Sequence, residues 1–237
     1  MTQERLWTGG PVFIQTDYMP LTTDAILLAE FTNVRTGECG VDLGCASGAI
    51  MLLLLQRETE LCMKGLEIQP EACKLAEENI RLNEMSERAD ILCGDLRETV
   101  KQLPNGGFDF VVSNPPYFDQ NAGTGSPSME RAAARMEKDL SLHDVCRAAS
   151  RLCRSGGRCY LCYRPERLTQ LLSEMSSAHL EPKRLRFVHH DASHPASLVL
   201  VEGRKDGKPG ITVEQPFFVH TCDGSETEEY LRICHRI

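Results

Sequence analysis

Apolar residues along this chain repeat with two periods that alternate from segment to segment. Ala25, Ile26, Leu28, Ala29 and Phe31 keep the spacing of one helix face, with Thr22 or Thr23 where a cap belongs. Residues 38–43 read as a short buried strand that runs into Gly44-Cys45-Ala46-Ser47-Gly48, and a helix is predicted from that turn through Gln56. Residues 61–67 form a second predicted strand. Pro70 stands early in an amphipathic helix reaching about Asn83, since the N–H that proline lacks would be unpaired in a first helical turn anyway. Residues 89–93 and 108–113 supply a third and a fourth strand. Residues 119–129, rich in Gly, Ser, Asn and Pro, are expected to form a mobile loop. Helix resumes over 140–152, Gly156-Gly157 turns the chain into a fifth strand over 158–163, and another helix covers 166–175. Strands over 185–189 and 197–202 flank a turn at His194-Pro195, followed by a charged turn over 203–210 and a short mixed tail.

Strands that alternate with helices specify an α/β fold with a doubly wound, mostly parallel sheet, here of seven strands. The last two strands lack an intervening helix, so an antiparallel strand is expected at one edge. Residues 1–237 read as a single domain, with 1–36 as an N-terminal extension packed over the ligand site. Ligands of such sheets bind beyond the carboxyl ends of the strands, so the residues just after each strand matter most.

Composition changes this picture little. A chain of 237 residues, 41% hydrophobic and 25% charged, suits one domain with a sizeable core. The longest apolar run, 49–55, falls far short of the roughly 20 residues that span a bilayer. Residues 1–8 hold Glu4 and Arg5 rather than an apolar signal core, so a cytoplasmic protein is expected. Eleven cysteines is an odd number, and Cys39, Cys62, Cys73 and Cys93 fall inside predicted strands or helices, so reduced, mostly buried thiols are expected. Cys159 and Cys162 have C-x-x-C spacing, but three apart on a strand they point to opposite faces, and no metal is expected.

A net charge of −8 argues against a general nucleic-acid binder. Residues 151–190 nevertheless hold eight Arg or Lys against three Glu. Such a segment either touches phosphates at one edge of an acidic body or is a set of solvated side chains.

The strand ends carry the candidate chemistry. Asp42 precedes the Gly-rich turn, where a G-x-G-x-x-G string is absent. An acid there would repel a pyrophosphate but could accept from the ammonium of an amino acid, such as that of S-adenosylmethionine. Glu67, closing the second strand, could accept both hydroxyls of a ribose. Asp95, after the third, could accept from an adenine amine. Asn114-Pro115-Pro116-Tyr117 follows the fourth strand. A planar nitrogen is a poor nucleophile because its lone pair is delocalised. An Asn side-chain oxygen and a backbone carbonyl held in place by proline can accept its two N–H hydrogens and turn the lone pair toward an electrophile. Tyr117 offers a flat face for a planar substrate.

These strings resemble class I S-adenosylmethionine-dependent methyltransferases with an N-P-P-Y motif, and among them the bacterial tRNA valine adenine-N6 methyltransferase family. The resemblance covers nearly the whole chain. It includes residues 22–28, 41–50, Gly65-Leu66-Glu67-Ile68, Gly94-Asp95, 114–118, Ser155-Gly156-Gly157-Arg158, 163–168, 182–187 and 198–203. It implies a Rossmann-like fold, S-adenosylmethionine as cofactor, and methyl transfer to N6 of an adenine in a tRNA anticodon loop. It also implies that Thr23, Asp24, Asp42, Gly44, Gly48, Glu67, Ile68, Asp95, Leu96 and Asn114 bind the cofactor, while Asn114, Pro115, Pro116 and Tyr117 hold the target amine. The family's glycine between Gly44 and Gly48 is Ala46 here, tolerable only at negative φ with no ligand atom in that space. Arg131, Arg135, Arg164, Arg167, Lys183, Arg184 and Arg186 are candidate phosphate contacts.

Two other readings stay open. One is a glutamine N5-methyltransferase acting on release factors; such enzymes usually carry an extra N-terminal helical domain, and only about 40 residues precede Asp42 here. The other is a module that binds RNA or the cofactor without catalysis.

Overall fold

The computed structural model describes residues 2–16, 19–115 and 141–237. Its centre is β3 (Cys39–Leu43), flanked on one side by β4 (Cys62–Glu67) and β5 (Ala89–Cys93). On the other side follow β6 (Phe108–Ser113), β7 (Cys153–Tyr163), β9 (Ala196–Lys205) and β8 (Leu180–His189). Strands β3 to β7 pair in parallel, and β9 runs antiparallel to both β7 and β8. The antiparallel strand therefore lies between β7 and β8, one place in from the edge expected for it. Two short strands, β10 (Thr212–Val213) and β11 (Phe217–Phe218), pair with the outer side of β8 and bring the sheet to nine strands.

Helices cover both faces, which is why the central strands are apolar on both sides. Successive residues of β6 divide between two cores: Phe110 and Val112 join one, Val111 the other. The first core takes in α1 (Thr23–Phe31), α2 (Ala49–Arg57), α3 (Pro70–Leu82) and Tyr230 of α7 (Glu228–Ile233). The second takes in α4 (Leu96–Thr99), α5 (Leu142–Leu152) and α6 (Leu168–Ser177). Cys162 and Cys159 fall in the first and second core respectively, as their strand spacing requires. Among the described residues no helix is long and apolar enough to cross a membrane.

Three departures from the sequence reading have local causes. Strand β7 starts at Cys153 rather than 158, because a bulge against β6 carries the chain through Gly156-Gly157 without a turn. The N-terminal residues form a hairpin, β1 (Thr2–Arg5) and β2 (Val12–Gln15). Asn79 on α3 and Asn83, the residue that caps its C-terminus, bond both the N–H and the C=O of Ile14 and Val12 respectively, so two amides act as a neighbouring strand for β2. Asn79 Nδ2 also donates to Ser47 O in the Gly-rich turn, which ties the hairpin to that turn.

The third departure concerns the thiols. Cys39 and Cys62 are joined by a disulfide, so the expectation of wholly reduced cysteines is corrected. They stand directly opposite each other in the β3–β4 register with Cα atoms 4.7 Å apart, a proximity that a separation of 23 residues in sequence conceals. The other nine of the eleven cysteines are free. Protein unfolded without reductant is accordingly expected to take up nine equivalents of an alkylating label by intact-mass analysis, and eleven after reduction. Eleven in both samples would contradict the bridge.

Candidate active site

The chain leaves β3 toward β4 and β5, then returns to the opposite side of β3 at β6. The order reverses between β3 and β6, and a crevice opens beyond their carboxyl ends at such a switch point. Ser113 Oγ donates to Leu43 O at 2.6 Å and clasps the two strand ends together.

Asp42 lies on the β3 side of this clasp. Its side chain is wholly buried, and neither carboxylate oxygen has a hydrogen-bond partner among the described residues. Burial, and secondarily the charge of Glu67, push its pKa up to about 8. A buried carboxylate without a donor is costly to the free protein. A cationic amino group would offset that cost, so the site fits the aminoacyl end of S-adenosylmethionine.

Gly44 follows with φ +75°, and a Cβ added there would meet nothing within 4 Å, so the turn is open on its ligand side. Gly48 has another role: a Cβ there would come within 3.3 Å of Ala76 Cβ, so it lets α2 sit close to α3. Glu67 ends β4 and accepts from Ala46 N–H and Gln69 N–H at 2.9 Å each, one bond per oxygen, leaving lone pairs for ribose hydroxyls. Ile68, next in line, is 52% exposed, an apolar side chain presented at the end of the crevice.

Ala46 does not meet the condition set for it. Its φ is +47°, in the left-handed region. The cost to a residue with a Cβ is roughly 1 kcal/mol. Ala46→Gly is therefore expected to raise the melting temperature by about 2–4 °C, the shift that ~1 kcal/mol gives a domain of this size. Calorimetry checks this, and an unchanged or lowered melting temperature would mean the turn carries no strain.

Asp95 caps α4, accepting from Arg97 N–H at 2.9 Å, and Arg97 Nε lies 2.9 Å from the same oxygen. Arg97 holds its carboxyl below the usual range, so it stays ionised and can still accept from an amine. The Leu96 side chain is buried in the second core with Val100 and Leu103. Thr23 Oγ1 lies 3.5 Å from Tyr230 Oη, and Asp24 lies close enough to Cys162 to raise its pKa. The structure thus brings Asp42, Gly44, Glu67, Ile68, Asp95 and Asn114 to one end of the sheet. Pro116, Tyr117, Arg131, Arg135 and the expected loop 119–129 lie outside the described residues.

Several cations of the basic segment pair within the protein, which neither of its two readings anticipated. Arg184 bonds Glu202 at 2.9 Å, Glu214 at 3.2 Å and Phe31 O at 2.7 Å, and its guanidinium stacks 3.8 Å from the Phe31 ring centroid. Arg186 bonds Glu229 at 2.7 Å and Gln215 O at 3.0 Å. Arg158 forms a buried pair with Glu38. Lys183 bonds the carbonyls of Lys208 and Gly210 near the amino end of the parallel strands, away from the crevice. These three half-buried cations are engaged by carboxylates and carbonyls of the protein itself, so Lys183, Arg184 and Arg186 are withdrawn as phosphate contacts. Arg164 and Arg167 follow β7 at its carboxyl end, the end where the crevice lies.

A sheet of this order with its carboxylates at successive strand ends defines a class I S-adenosylmethionine-dependent methyltransferase. The fold is shared with a predicted O-methyltransferase from Agrobacterium tumefaciens, at TM-score 0.73 and 21% identity over 90% of this chain and 96% of that one. A geranyl diphosphate C-methyltransferase from Streptomyces coelicolor, solved with S-adenosyl-L-homocysteine, gives TM-score 0.56 and 13% identity over 76% and 78%. The chain belongs to the methyltransferase small domain family, whose model matches residues 17–163. Among curated relatives it is similar to two proteins named tRNA1(Val) (adenine(37)-N6)-methyltransferase. The one from Porphyromonas gingivalis is 30% identical over 91% of this chain and 87% of the relative, and the one from Haemophilus influenzae 28% over 91% and 89%.

Proposed function

We propose that this enzyme transfers the methyl group of S-adenosylmethionine to the exocyclic N6 of an adenine in a single-stranded loop of tRNA. The observation that carries the reading is Asn114, set just after β6 across the switch point from β3, the strand that carries Asp42, with Pro115 following. The named activity of the relatives, similar over nine-tenths of the chain, supports the choice of adenine and of tRNA.

S-adenosylmethionine supplies an electrophilic methyl on a sulfonium. The chain's own residues do the rest. Asp42 offsets the positive charge of the amino-acid end, Glu67 accepts from the ribose, and Asp95 accepts from the cofactor's adenine amine. Asn114 Oδ1 and the Pro115 carbonyl accept hydrogen bonds from the two N–H groups of the target amine, which turns its lone pair toward the methyl. The target nitrogen takes the methyl, releasing the sulfonium as the neutral thioether S-adenosylhomocysteine, and the methylated amine gives up one proton to solvent. Tyr117 stacks on the target base, and Pro116 fixes the Pro115 backbone. An unstacked loop adenine enters such a site at less cost than a base flipped from a duplex. Arg131, Arg135, Arg164 and Arg167 contact phosphates. A tRNA substrate goes with a cytoplasmic enzyme.

The test offers labelled S-adenosylmethionine with unmodified total tRNA in one reaction and with release factor in another. Label in tRNA supports the reading, and label confined to a glutamine of release factor would replace it.

A further inference from the structure

Asn114 can serve the reaction in only one orientation. With Oδ1 toward the substrate the amide accepts an N–H hydrogen. Rotated by half a turn it offers its own NH2, donor against donor, and repels the target amine. Nothing in the chemistry of an Asn side chain fixes that choice, so a neighbouring group must.

The neighbour is Cys162. Its strand pairs with β6 in the register Ser113↔Leu161, which sets residue 162 beside residue 114. Its side chain is fully buried, and its Sγ lies 2.9 Å from Asn114 Oδ1. We propose that Cys162 is a positioning residue for methyl transfer, whose thiol donates to Asn114 Oδ1 and holds the amide with its second oxygen lone pair toward the target amine. This inference rests on the reading of Asn114 as the residue that receives that amine.

The thiol is suited to the task because it keeps its proton. Burial, with the nearby carboxylates of Asp24 and Asp42, raises its pKa well above the ordinary thiol range. It is therefore a donor throughout the physiological range, and it lacks the thiolate character that reactive cysteines have. A carbonyl oxygen has two acceptor sites, so the bond to Cys162 leaves one for the substrate.

The experiment compares wild type with Cys162→Ser, Cys162→Ala and Cys162→Val, with cofactor affinity by calorimetry and kcat for methyl transfer to unmodified tRNA. Serine keeps a donor, alanine removes it, and valine removes it while filling the space. Losing one net hydrogen bond is expected to lower kcat by roughly five- to tenfold in the alanine and valine variants. Cofactor affinity should stay within about twofold, and serine should restore kcat to within about twofold of wild type. Whichever of the alanine and valine variants retains cofactor binding serves as the comparison, so a packing defect in one does not decide the matter. Wild-type kcat without a donor, or equal loss in the serine variant, would overturn the proposal. Asn114→Ala, run alongside, separates the two questions. Activity in that variant overturns the role of Asn114 itself. Its inactivity beside fully active Cys162 variants overturns only the hydrogen bond.

Discussion

Asp42→Asn is expected to make the free protein more stable and to destroy its hold on the cofactor. The two effects have one cause. The folded-state pKa of Asp42 is about 8, against 3.8 for an ordinary aspartate. The folded chain then binds more protons at this site than the unfolded chain, so stability falls as pH rises through the window between these values. The loss accumulates at about 1.4 kcal/mol per pH unit, on the order of 4 kcal/mol by pH 7. Asparagine does not titrate. The gap in stability between variant and wild type should therefore widen from pH 4 toward pH 8, read by denaturant melts of the cofactor-free proteins. The variant forfeits the charge-assisted contact to the ammonium, which should weaken S-adenosylmethionine binding by roughly 30- to 100-fold. Wild-type affinity should itself rise about tenfold per pH unit below about 8, because binding requires the carboxylate and the free protein holds the acid. A flat affinity profile, or an Asp42→Asn protein that binds normally, would remove Asp42 from the site.

Asn114→Ala carries the second large effect. In the proposed role the side-chain oxygen stabilises charge that develops on the target nitrogen only as the methyl moves, so its loss should fall on the transition state. By comparison with the removal of single preorganised groups elsewhere, kcat should drop by about a hundred- to a thousandfold. Affinity for tRNA, set largely by phosphate contacts, should change little. Single-turnover rates and filter binding separate the two. Persistent methylation would show that another group receives the amine, and loss of both properties together would point to a folding defect.

Much of this was legible because the α/β periodicity is strong where the sheet is buried on both faces. The bounds of β5 and β6 coincide with their predicted runs, and α1 is capped by one of the two threonines expected, Thr22. The strand-end rule pointed to Asp42, Glu67, Asp95 and Asn114, and the structure sets these four at one end of the sheet. What stayed hidden depends on residues far apart in sequence. The Cys39–Cys62 bridge and the Cys162–Asn114 bond follow from strand register, which periodicity does not reveal. Arg184 and Arg186 look like a basic surface until Glu202, Glu214 and Glu229 come alongside them. Strands β10 and β11 are two residues each and exist only because β8 offers an edge to pair with. The positive φ of Ala46 is set by the turn around it, where glycine would be the residue expected.

The most direct test of the central claim is nucleoside mass spectrometry of unmodified tRNA treated with this enzyme and S-adenosylmethionine. N6-methyladenosine is expected in wild-type reactions and none with Asn114→Ala. A methyl group on another atom, or N6-methyladenosine that survives the loss of Asn114, would contradict it.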